Sequence, residues 1–127
     1  MDQTKLLKNA RNCLLKLHKS LIDFERVAYE GIHGPLTAGQ FLNVLLENED
    51  FSWLRKFSML IVEIDEMFDL KDGIDAGMVD VNLAKIRELV EMREEDEYFR
   101  AKYQYAINND RAPAAHHKEL SDVMSFE

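Results

Sequence analysis

Apolar residues recur at helical spacing along most of the chain. In residues 51–69 (FSWLRKFSMLIVEIDEMFD) they fill three adjoining rows: Leu54, Ile61 and Phe68; Phe57 and Ile64; Trp53, Leu60 and Met67. Neither Gly nor Pro interrupts the stretch, so it predicts a helix buried over most of its circumference, around which the other segments should be organised. At ~1.5 Å per residue it is about 28 Å long, and Glu63, Asp65 and Glu66 punctuate it, which fits a core helix better than a membrane span. Residues 2–30 carry the other long pattern. Leu7, Leu14, Leu21 and Ala28 share one row, Ala10, Leu17 and Phe24 the next, and Leu15, Ile22 and Tyr29 a third; this helix should stop at Gly31.

The intervening segments are shorter or interrupted. Thr37 as N-cap with Gln40 three residues on predicts a short second helix carrying Phe41, Leu42, Val44, Leu45 and Leu46, and Asp50 is placed to cap the central helix. A long last helix is expected from Asp80 or Asn82 to Ile107, with Leu83, Ile86, Leu89 and Val90 inward. Residues 93–97 (REEDE) break its stripe, so it either projects past the others there or pauses and re-docks. The expected fold is all-α: a four-helix bundle wound up, down, up, down, with residues 1–107 as the bundle domain. Residues 108–127 are expected to be a flexible tail holding at most a short helix.

Composition narrows the function classes. A chain of 127 residues suffices for one core, and its net charge of −8, with no basic recognition face, argues against nucleic acid. Lysines interleave with the first leucines, so no leader segment is expected there, and the lone Cys13 reads as a small core residue of a cytoplasmic protein. The acidic loop 69–80 lacks the alternating oxygen ligands of a calcium loop, because Phe68 and Leu70 stand four and two places before Asp72. Phosphate-binding loops, nucleophile elbows, HExxH and CxxC are absent from the chain.

The sharpest candidate chemistry is polar. On the first helix Arg11, His18 and Glu25 lie between apolar rows, and Ser58 and Asp65 take the equivalent place on the central helix. If those helices sit diagonally across the core, His18, Glu25, Ser58 and Asp65 form a site for a divalent metal or small ligand. A di-iron bundle would need two Glu-x-x-His pairs, and only Glu30 with His33 shows that spacing. The alternative for the same positions is a buried network in which Arg26, Glu30, Arg55 and Glu66 help to satisfy one another, and no cofactor is then required. His116 and His117 read as solvated tail residues, and Trp53 as a core aromatic. Tyr98, Phe99, Tyr103, Tyr105 and Ile107 form an aromatic patch suited to folding back on the first helix or to a homodimer contact.

Two segments carry a resemblance. His18-Lys19, Glu25-Arg26 and Tyr29-Glu30 on one helix, with Trp53-Leu54-Arg55 and Ile64-Asp65-Glu66 on another, resemble the paired hallmarks of a family of small bacterial all-helical proteins to which no activity is attached. The resemblance spans roughly residues 14–70 and implies a bundle fold and a bacterial cytosolic setting. The expected function is a non-enzymatic interaction or scaffold protein, acting through a protein partner or self-association, with the metal- or ligand-binding bundle as the alternative.

Overall fold

A computed structural model of the chain describes residues 2–70, 73–93 and 95–125; parts of the acidic loop, of the REEDE run and of the C-terminal end lie outside them. The described residues form six α-helices and one 3-10 helix, with no strand, where the pattern predicts four helices. In order these are α1 (Gln3–His33), α2 (Ala38–Glu47), the 3-10 helix η1 (Glu49–Leu54), α3 (Arg55–Phe68), α4 (Ala76–Val90), α5 (Glu97–Asn109) and α6 (Arg111–Met124).

Local chemistry accounts for most of the ends. Asp2 caps α1 by accepting from the Thr4 N–H. Thr37 and Gln40 form the expected reciprocal capping box on α2. The helix α1 runs through Gly31 and ends at Gly34, whose φ of 89° places it in a region that favours glycine and whose N–H bonds to the Glu30 carbonyl. The central segment is not capped by Asp50. Asn48 accepts from the Asp50 N–H and starts a tight 3-10 turn that becomes α3 only at Arg55.

The spine of the fold is α1, which touches η1, α3, α4, α5 and α6. Its length lets Leu7, Ala10, Leu14, Leu17 and Leu21 reach successive neighbours, and all five are fully buried. The segment expected to organise the chain packs against this spine: Trp53, Phe57, Leu60, Ile64 and Met67 are buried on one side, while Met59 and Val62 face solvent.

On the C-terminal side, of the two alternatives left open for the REEDE interruption, the long last helix takes the pause, which falls after Val90. Arg93 N–H bonds back to the Glu88 carbonyl and Met92 N–H to the Leu89 carbonyl, which is a Schellman closure with Met92 in the left-handed region at φ 55°. The helix then restarts behind Asp96, which caps α5 through the Phe99 N–H. Where a flexible tail with at most a short helix is expected, the described residues to 125 include a fourteen-residue helix, α6, capped by Asp110, whose Pro113, Leu120 and Met124 are buried. It packs against α1 and also touches α4 and α5.

Candidate functional site

The polar residues singled out by the pattern are separated into pairs. Glu25, only 4% exposed on α1, receives the Trp53 indole N–H at 3.3 Å and the Lys102 ammonium of α5 at 3.2 Å, both on Oε2. Asp65 is held by Arg11 through two parallel bonds of 2.9 and 2.8 Å, a fork geometry that raises the Arg11 pKa. The two polar rows of α1 and α3 therefore do meet, through Arg11. Ser58 donates to the Arg55 carbonyl one turn back. His18 stacks on Phe57 at 6.2 Å between ring centroids, and burial lowers its pKa.

The second set is also dispersed. Arg26 ties Glu30 to the chain reversal, donating to Glu30 at 3.4 Å and to the Leu36 carbonyl at 2.8 Å. Glu30 accepts the Leu36 N–H, and that bond is the main reason its pKa is lowered. Arg55 donates to the Leu46 carbonyl, anchoring the end of α2, while Glu66 is exposed on the side of α3 that faces the α3–α4 groove. Among the described residues every buried side-chain nitrogen or oxygen has a hydrogen-bond partner, and no three His, Cys, Asp or Glu side chains are grouped to hold a metal ion.

The aromatic patch divides between core and surface. Phe99 and Tyr103 are fully buried, in a cluster with Trp53 and Phe57 whose ring centroids lie 5.3–6.2 Å apart. Tyr98 reaches out to the Asp50 carbonyl at 2.7 Å, Tyr105 stands exposed beside Phe24, and Ile107 packs partly against the core. The pattern missed His117. Its Nδ1 lies 2.7 Å from the Tyr103 hydroxyl, and burial lowers the imidazole pKa and raises that of the phenol. The signal was present in the spacing, because Pro113, His117, Leu120 and Met124 fall on one helical face. Cys13 donates to Glu119 at 3.1 Å, and burial, with that bond, pushes its thiol up to about 11, away from nucleophilic use.

An apolar groove opens between α3 and α4. Its larger part, about 590 Å³, is lined by Met67, Leu70, Met78 and Val81 with acidic side chains around them. A second cleft of about 390 Å³ continues it past Met59 and Leu89. The Glu63 to Lys85 ion pair, at 2.8 Å, borders both parts and joins the two helices between them. Met59, Leu70, Met78 and Val81 are all exposed, Met59 by 69% and Val81 by 54%. Inside the groove the Asn82 amide points at the Met67 sulfur at 3.5 Å.

These features define an all-α protein whose buried polar side chains are paired, among the described residues, and whose α3–α4 cleft carries exposed apolar side chains. No family model, curated protein or solved structure matches the chain. Among the described residues no helix is long and apolar enough to cross a membrane.

Proposed function

We propose that the protein is a non-enzymatic interaction protein that docks a partner in the α3–α4 groove. One contrast carries the reading. The polar residues with chemical potential are engaged inside the fold, Glu25 by Trp53 and Lys102 and Asp65 by Arg11, whereas Met59, Leu70, Met78 and Val81 stand in water along the α3–α4 seam, on either side of the Glu63–Lys85 ion pair. A contiguous apolar surface gains free energy when a partner covers it, and methionines adapt their shape to what docks.

The test is a titration of the isotope-labelled full chain, followed by amide chemical shifts. Three helical peptides share one leucine stripe at i, i+3, i+4 and i+7 and carry lysine, glutamine or glutamate on their other faces. Saturable shifts confined to α3 and α4 with at least one peptide, abolished by Val81→Glu, support the reading. No saturable shift with any of the three, or shifts centred elsewhere, overturns it. Val81 is exposed, so its substitution leaves the core intact.

A further inference from the structure

We infer that the occupant of the groove is a single amphipathic helix with a basic rim, supplied by a partner protein; this rests on the docking reading above. Three observations select that chemistry.

The first is shape. The two clefts together follow α4 from Met78 to Leu89, and at ~1.5 Å per residue this is about 17 Å, or roughly three turns of a helix lying over the Glu63–Lys85 pair that separates them. Its walls are helical rows, Met78, Val81 and Lys85 on α4 and Met59, Glu63 and Glu66 on α3, spaced as ridges between which a third helix packs. The backbone there is engaged within α3 and α4, so an extended peptide finds no sheet edge to pair with.

The second is charge. Across the two clefts the lining carries four carboxylates, Glu63, Glu66, Asp75 and Glu88, and two lysines, Lys56 and Lys85, a net balance of −2 among the described residues, with the acidic excess at the Asp75 end. Lys85 is engaged by Glu63, which leaves Glu66 and Asp75 to set the sign of the rim. Lysines or arginines flanking the leucine stripe of an incoming helix meet that rim favourably, while an acidic helix, a nucleic acid or an anionic membrane is repelled.

The third concerns self-association. A two-fold dimer through this face would bring together two linings that are each net acidic, which disfavours a second copy as occupant.

The peptide titration separates this inference from the reading beneath it. The lysine peptide should bind at least tenfold more tightly than the glutamate peptide, and the preference should shrink as salt is raised. Glu66→Gln combined with Asp75→Asn should weaken the lysine peptide about fivefold and leave the glutamine peptide unchanged. Asparagine at 75 keeps an oxygen for the Gly77 N–H that Asp75 caps, so α4 remains intact. Equal affinity for the three peptides, or preference for glutamate, overturns the basic-helix partner while leaving the groove a docking site. Failure of every peptide removes both. A concentration-dependent dimer in light scattering that Val81→Glu dissociates overturns the inference in favour of a second copy.

Discussion

The Trp53 indole N–H and the Glu25 carboxylate meet at 3.3 Å beneath the surface, joining the 3-10 helix to the spine of the fold. Lys102 reaches the same oxygen from α5, so one buried carboxylate links three elements. The two ends of this contact are not equivalent. Lys102→Met leaves Glu25 charged and almost wholly buried with a single donor, and should cost roughly 2–3 kcal/mol, below the range for a fully buried pair because the lysine is about a third exposed. Glu25→Gln keeps an acceptor for Trp53 and frees Lys102 to turn to water, and should cost about 1 kcal/mol. Urea unfolding of both variants gives the order; an equal loss would mean that the carboxylate is hydrated in solution.

Asp65 is coupled to Arg11 and not to His18. A double-mutant cycle of Arg11→Met and Asp65→Asn should return roughly 0.5–1 kcal/mol, since the geometry is bidentate but both side chains are partly exposed. The cycle of His18→Phe with Asp65→Asn should return nothing beyond error. Coupling in the second cycle would restore a shared site between these positions.

The helical class, the capping box at Thr37 and the inward rows of the central segment are written in local spacing, but the 3-10 turn of residues 49–54 and the exposure of Leu42 and Leu46 on α2 are not. The break after Val90 is harder to read. Its closure uses Met92 where a glycine would have been the signal, and the REEDE run shows only that burial lapses there. The polar positions on α1 and α3 were identifiable as enclosed, but their partners were not: Lys102 and Arg11 are chosen by how helices pack, over separations of 77 and 54 residues. The groove left no mark in the pattern, because the exposure of Met59, Met78 and Val81 depends on which neighbour is missing.

Leu120 tests whether α6 belongs to the core. It is fully buried near the end of a helix that the composition of residues 108–127 disguises as a tail. Leu120→Ala should cost about 2–4 kcal/mol, as a leucine removed from a close-packed site does. A loss under about 0.5 kcal/mol, typical of surface substitutions, would show that α6 is undocked in solution.

The left-handed conformation of Met92 makes its position selective by shape of backbone. Met92→Gly relieves about 1 kcal/mol of backbone cost and loses a similar amount of side-chain packing, so stability should change by less than about 1 kcal/mol. Met92→Val adds a β-branched side chain at positive φ and should be less stable than the glycine variant by at least about 1 kcal/mol. Denaturation midpoints at constant slope decide the order, and a valine variant as stable as wild type would contradict the closure described here.

His18 and His117 both have folded-state pKa values lowered by burial from the usual 6.5. The unfolded chain therefore binds more protons than the folded one once pH falls below 6.5, so stability from these groups is complete above that pH and declines as it is crossed downward. Once protonated, His117 carries a hydrogen on both ring nitrogens, so at Nδ1 it can only donate and the Tyr103 hydroxyl oxygen must accept. Thermal melts from pH 7.5 to 5 should show a falling midpoint. The variant His18→Phe, His117→Asn keeps the stacking on Phe57 and an acceptor near Tyr103, and its melting temperature should be flat over the same interval. The Glu30 and Glu119 carboxyls, whose pKa values are lowered, contribute their loss only at more acid pH and so leave this window to the imidazoles. A decline of equal slope in the double variant would assign the acid sensitivity to other groups.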